Sequence, residues 1–305
     1  ERQKKEMKGS ISLLFILMGV VLVMGTTPIK REQWYRRDAA RLREKLEKVA
    51  LSEDGMGYNT KPEMFDLFYP SWSCDVDVRF GGVGNGGKFF CDPHKVKYGD
   101  CLVYSFGINN FAPYERDVRE YLDCQIEAFD PTPGLFQPFI KNLANRGINF
   151  HSIGLMDQDT TIKILDQEVP GMSLKSIIKM LGHENRKIDV LKMDIEQHEW
   201  PVLLQFGQIC HQLPPIDRIN AELHWWGPKW GRKNDIVDLI QLQLQLQDCG
   251  YRLYHAEPHL KRLPQIVQAT ELAWVHERII PHATDKLDPI EVGPHGRSSL
   301  RQRHK

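Results

Sequence analysis

The chain has 305 residues, 41% of them hydrophobic and 26% charged, proportions that exclude a wholly disordered chain and a multi-spanning membrane protein. Forty basic residues balance forty acidic ones unevenly: 12 Lys/Arg against 6 Asp/Glu over residues 1–50, 23 against 32 over 51–285, and a net +3 over 286–305. An acidic body with basic ends is a poor footprint for a phosphate backbone, so no nucleic-acid partner is expected.

From Ser10 to Thr27 the chain runs SISLLFILMGVVLVMGTT, 18 residues without a charge. That is near the lower limit for crossing a bilayer's hydrocarbon, and residues 1–29 are expected to form a basic stretch and a single-pass membrane anchor. A buried core helix is the bland alternative. A cleaved signal peptide is another, with Val23 and Gly25 small enough to precede a cut. Lys30, Arg31, Arg36, Arg37, Arg41 and Arg43 favour a cytoplasmic C-terminal side. Long domains translocate largely regardless of charge, however, and the expectation is a lumenal domain in the endoplasmic reticulum or Golgi.

Residues 30–62 read as stem and linker. Leu42, Leu46 and Val49 recur at helical spacing among charges, the pattern of an amphipathic helix, taken here as a solvated spacer; residues 52–62 have linker composition. Residues 63–285 form the catalytic-domain candidate, and 286–305 a basic, disordered tail. The six cysteines (Cys74, Cys91, Cys101, Cys124, Cys210, Cys249) make no CxxC pair and no zinc spacing. An even count allows one to three disulfides in an oxidising compartment with connectivity open, and Cys101 also fits as plain core. No Asn-x-Ser/Thr acceptor is present.

Apolar runs alternate with helical patterns from about residue 100. Strands are expected at Cys101–Ile108, Gln125–Asp130, Asn149–Leu155, Ile188–Ile195, Arg218–His224, Tyr251–Glu257 and Glu271–His276. Helices are expected at Glu115–Leu122 and Leu135–Asn145, after an N-cap at Ser173, and at Asn234–Asp248, where the Leu-Gln alternation of 242–247 fits a strand as well. Seven strands in this rhythm imply an α/β fold with a mostly parallel sheet, its ligand beyond the strands' carboxyl ends. Upstream, Gly82, Gly87 and Lys88 match the G-x4-G-K of a phosphate loop. Phe89 replaces the required Ser/Thr, and a β-hairpin turning at Asn85-Gly86 is preferred.

The strand ends hold the candidate chemistry. Gly107, after Ser105 and Phe106 and before Asn109, lets backbone approach a ligand, although one Gly alone is usually a turn. Asp130 ends the next strand 23 residues later, a separation suited to a carboxylate that grips a ribose; alone it reads as a helix start before Pro131. Asp194 and Glu196, two apart on one strand, would converge and raise one pKa, as a general base requires. The plain alternative is a salt bridge with Lys192 at a helix N-terminus. His224 follows as a proton acceptor beside Trp225, Trp226 and Trp230, which would floor a substrate pocket or simply pack in the core.

YSFGIN, FDP, SIGL, LKMDIEQHEW and GNGGKFFC together resemble the methyltransferase-like protein 24 family, close to the FkbM-type methyltransferases, over about residues 70–276. The resemblance implies a Rossmann-like class I methyltransferase fold with a seven-stranded sheet, S-adenosylmethionine as cofactor, and often one N-terminal membrane anchor. It places Tyr104, Ser105, Phe106, Gly107 and Asn109 at the methionine end of the cofactor, Asp130 at its ribose, and Gly154 and Leu155 near the adenine. Asp194 and Glu196 would then stand beside the methyl group. FkbM-type relatives carry a richer Gly motif than the single Gly107 found here. The function expected is O-methylation of a hydroxyl on a glycan, lipid or small molecule, without metal. The alternative is a membrane-anchored, catalytically inactive binding module.

Overall fold

In a computed structural model of the chain, residues 37, 40–48, 68–83, 86–132, 134, 137–224, 236–261 and 266–279 are described. The apolar segment 10–27, Val49, the linker 52–62, Asn85, the three Trp residues at 225, 226 and 230, and the tail 286–305 lie outside the described residues. No helix among the described residues is long and apolar enough to cross a membrane.

An N-terminal hairpin pairs β1 (Asp77–Phe80) antiparallel with β2 (Lys88–Cys91), as the turn chemistry suggested, and the phosphate-loop reading falls away. Then follow β3 (Leu102–Phe106), α1 (Pro113–Leu122), β4 (Gln125–Phe129), α2 (Gln137–Asn145) and β5 (Ile148–His151). A small three-stranded sheet comes next, from β6 (Gly154–Met156), β7 (Thr160–Ile164) and β8 (Gln167–Ser173). The chain continues through α3 (Leu174–Met180), β9 (Val190–Met193), α4 (Glu199–Ile209), β10 (Arg218–His224), α5 (Ile236–Asp248), β11 (Tyr251–Lys261) and β12 (Ile266–His276). The segment over 242–247 is helical, which resolves that ambiguity.

The main sheet has seven strands in the order β11-β12-β10-β9-β3-β4-β5. Strands β5, β4, β3, β9 and β10 are mutually parallel, whereas β12 runs antiparallel between β10 and β11, so the sheet is mixed. From β3 the chain moves outward to β4 and β5 and then returns to place β9 on the other side. The topological switch point therefore lies between β3 and β9.

Alternation along β3 explains the layering. Leu102, Tyr104 and Phe106 face one core with Leu174, Ile177, Trp200, Leu203 and Leu246, while Val103 faces another with Phe90, Tyr114, Val118, Ile126 and Leu143. Helices thus cover both faces. Ser173 caps α3, its hydroxyl accepting the N–H of Ser176 at 3.3 Å, and Pro113 opens α1 where its missing N–H costs nothing.

Two expectations change. The helical stretch at 40–48 is no solvated spacer: Leu42 and Leu46 are buried in the first core, and Arg43 pairs with Asp248 at 2.6 Å. The single strand expected over Asn149–Leu155 is two, β5 in the main sheet and β6 in the small one. All six cysteines form disulfides, Cys74–Cys91, Cys101–Cys124 and Cys210–Cys249, so Cys101 is cross-linked as well as buried.

Candidate active site

Gly107, directly after β3, adopts φ 75°, and a Cβ there would lie 1.7 Å from the Asp194 carbonyl oxygen. The close approach that demands glycine is therefore to the backbone following β9, across the switch point, and not to a ligand. Hydrogen bonds from Gly107 N to Phe129 O (2.9 Å) and from Asp194 N to Phe106 O (3.1 Å) carry the ladder past the strand ends.

Asp130 is buried next door. Its Oδ2 accepts the N–H of Asn109 at 2.7 Å and its Oδ1 that of Thr132 at 2.9 Å, so the loop after β3 and the acid after β4 are one connected unit. Each oxygen retains a second lone pair. A Cβ on Gly154 would lie 3.4 Å from the Pro131 ring, which brings the start of β6 to the same corner; Leu155 is buried in the core. Tyr104, Ser105 and Phe106 are strand residues with fully buried side chains. Tyr104 bonds His183 at 2.8 Å and Ser105 donates to Glu115, and all three residues are paired in the ladder with β4 and β9.

Asp194 and Glu196 do converge, though not by pleating. β9 ends at Met193, and left-handed backbone at Glu196 (φ 53°) and Gln197 (φ 82°) turns the chain back before α4. Asp194 Oδ1 then lies 3.9 Å, and Glu196 Oε2 3.8 Å, from Nε2 of His224 at the end of β10. Lys192 pairs with Glu115 at 3.3 Å, and the cation that reaches the Asp194 carboxylate is Lys88 at 3.9 Å.

Burial pushes the Asp194 carboxyl up to about 6, with Lys88 and Lys192 opposing and Glu222 adding. The like charge involved is thus Glu222, not Glu196. Burial alone would lower His224. The Glu199 hydrogen bond at 3.0 Å and the charges of Glu199, Glu196 and Asp194 outweigh it and raise the imidazole to about 9. The ring that looked like a neutral-pH acceptor is therefore a cation at neutrality, and Asp194 is the group poised to take a proton.

Sequence reasoning missed four residues here: Lys88, Glu199, Glu222 and Glu271. The hairpin's first returning residue, Lys88, is buried with its ammonium 2.8 Å from Glu222, 3.7 Å from Glu271 and 3.9 Å from Asp194. Its desolvation is offset by Glu271, Asp194 and Glu222, which hold it charged. Asn220, Arg218 and Tyr254 seat β2 by donating to Phe89 O (2.7 Å), Cys91 O (2.7 Å) and Phe89 O (2.9 Å). A lysine on an otherwise apolar return strand, and polar residues at alternate positions of Arg218–His224 (Arg218, Asn220, Glu222, His224), were the available signals.

A mostly parallel sheet with this strand order and an antiparallel strand near one edge is the Rossmann-like methyltransferase fold. The chain belongs to a methyltransferase-domain family, whose model matches residues 29–257. It is 25% identical over 224 residues to probable methyltransferase-like protein 24 of Homo sapiens, covering 68% of this chain and 56% of that protein. For the Rattus norvegicus protein of the same name the figures are 24% over 255 residues, 79% and 66%, so the chain spans little more than half to two thirds of the relatives it matches. Among solved structures, fibrillarin from Methanococcus jannaschii is 9% identical with a TM-score of 0.38, covering 59% of this chain and 68% of that one. Aeropyrum pernix fibrillarin in complex with natively bound S-adenosyl-L-methionine is 13% identical with a TM-score of 0.37, covering 68% and 85%.

Proposed function

We propose that the chain is an S-adenosylmethionine-dependent O-methyltransferase acting on a hydroxyl of a glycan, lipid or small molecule. The observation that carries this reading is the meeting of the Gly107–Asn109 loop, Asp130 and Asp194 around one switch point, with His224 beside Asp194. Asp130 would accept the ribose hydroxyls on its remaining lone pairs, the loop backbone would face the methionine end, and the Gly154 corner the adenine.

The transfer itself is a single displacement. A lone pair of the acceptor oxygen forms the new C–O bond while the methyl–sulfur bond breaks, its electrons passing to sulfur to leave a neutral thioether; the hydroxyl proton goes to Asp194. The enzyme's work is to align donor and acceptor about 3–3.5 Å apart and to receive that proton. Glu199 fixes the His224 ring, and Glu196, with its side chain 73% exposed, marks the solvent side by which an acceptor reaches Asp194.

Three disulfides with no free cysteine support folding in an oxidising compartment, in keeping with a lumenal domain behind an N-terminal anchor. Calorimetry and thermal stabilisation with S-adenosylmethionine, against NAD and nucleotide sugars, test the donor. Release of S-adenosylhomocysteine across hydroxylated acceptors tests turnover. Binding without release on any acceptor would favour the non-catalytic module instead.

A further inference from the structure

The same strand ends bring together donor atoms suited to a divalent cation. One oxygen each of Asp194 and Glu196 and a ring nitrogen of His224 lie within 4.8 Å of one another. His224 Nε2 stands 3.9 Å from Asp194 Oδ1, and 3.8 Å from both Glu196 Oε2 and Glu222 Oε1. Such separations are too long for hydrogen bonds. Ligands at right angles around an ion, each about 2.1 Å from it, stand about 3 Å apart, so side-chain shifts of less than about 1 Å would close the set.

Two further observations point the same way. Lys88 approaches the opposite oxygens, Glu222 Oε2 at 2.8 Å and Asp194 Oδ2 at 3.9 Å, so the inner oxygens Oε1 and Oδ1 are those turned toward His224. Behind the imidazole, Glu199 is wholly buried and bonds Nδ1 through Oε1, while its Oε2 has no hydrogen-bond partner among the described residues. A carboxylate on Nδ1 fixes the ring with Nε2 facing the other carboxylates, one of the arrangements that back metal-ligating histidines, and an ion binding at Nε2 would displace the proton held there.

The geometry points to a hard divalent cation, Mn2+ foremost, held by Asp194 Oδ1, Glu196 Oε2 and His224 Nε2 with Glu222 Oε1 beside it. Two or three carboxylate oxygens and one imidazole suit Mn2+ better than the softer ions that seek thiolate. The ion's task, though not its binding, rests on the methyltransferase reading: it would hold the acceptor oxygen and ease loss of its proton. The proposal departs from the metal-free site expected from the sequence.

The test uses the full chain, stripped with a chelator and then titrated with Mn2+, Mg2+ or Zn2+ by calorimetry, with electron paramagnetic resonance for Mn2+. Expected is one Mn2+ per chain. Glu196→Gln, at an exposed position that leaves the fold intact, should weaken it at least tenfold. Glu199→Gln, a positioning change, should weaken it about 10–100-fold without removing a ligand. No Mn2+ uptake by a folded chain that still binds S-adenosylmethionine overturns the cation and leaves the methyl-donor reading standing. Uptake without S-adenosylmethionine binding does the reverse. Affinity unchanged in Glu196→Gln, for any of the three ions, overturns the ligand assignment.

Discussion

The backbones of Gly107 and Asp194 touch: a Cβ on residue 107 would sit 1.7 Å from the Asp194 carbonyl oxygen. Gly107→Ala must therefore push the ends of β3 and β9 apart while also straining a left-handed backbone. Expected is a loss of about 1–3 kcal/mol in denaturant unfolding together with at least a tenfold loss of donor affinity. A variant of wild-type stability and affinity would show that the two strand ends are not in contact.

Lys88 is the only described cation that reaches Asp194, Glu222 and Glu271 at once. Removing it strands buried carboxylates, and Lys88→Met is expected to cost about 3–5 kcal/mol. Adding Glu222→Gln should recover part of that loss, because one of the stranded charges is then gone. Additive losses in this double-mutant cycle would argue against the pairing.

Asp130→Ala removes acceptors for the N–H groups of Asn109 (2.7 Å) and Thr132 (2.9 Å) as well as the proposed ribose contact. Donor affinity by calorimetry should fall at least tenfold. Asp130→Asn, which retains one acceptor oxygen, should fall between Ala and wild type. Equal affinities across the three proteins would remove Asp130 from the cofactor site.

His276 is held neutral. Burial first, then Arg278, lowers its imidazole from 6.5 to about 4, and its Nδ1 accepts the N–H of Arg278 at 3.0 Å. The unfolded chain takes up this proton below about 6.5 and the folded one only near 4, so stability falls as pH drops through that window and levels off beneath it. His276→Gln should flatten the fall between pH 6.5 and 4. An unchanged slope in pH-dependent unfolding would assign the acid sensitivity to other groups.

The Cys74–Cys91 bridge fastens the strand that carries Lys88, three residues away. Replacing both cysteines by serine should lower methyl transfer by a larger factor than the same change at Cys210–Cys249. An equal loss of activity in the two pairs would make the hairpin bridge purely structural.

The strands of the main sheet were legible because each is a short apolar run between turn residues; Arg218–His224 matches residue for residue. The hairpin at Thr160–Gln167 was not, because its turn uses left-handed Leu165 and Asp166, and leucine carries no turn signal. Asp130, Asp194 and His224 stood out as polar residues ending apolar strands. Lys88 and Glu271 did not, since they meet only through packing between segments 183 residues apart, and Glu199 reaches His224 from the helix after the preceding strand. Glu196 was found for the wrong reason: a left-handed turn, not strand alternation, points it at His224.

Two of the three covalent links sit where the chain is about to enter the sheet: Cys101 and Cys124 immediately precede β3 and β4, and Cys249 lies two residues before β11, tied to Cys210 at the end of α4. Cys101–Cys124 ties β3 to β4 at the ends opposite Gly107 and Asp130, and none of the three links lies at the strand ends that bear Gly107, Asp130, Asp194 and His224. The molecule is riveted along its foot and merely laced along its crown, so warming should fray the rim that handles ligand long before the foundation yields.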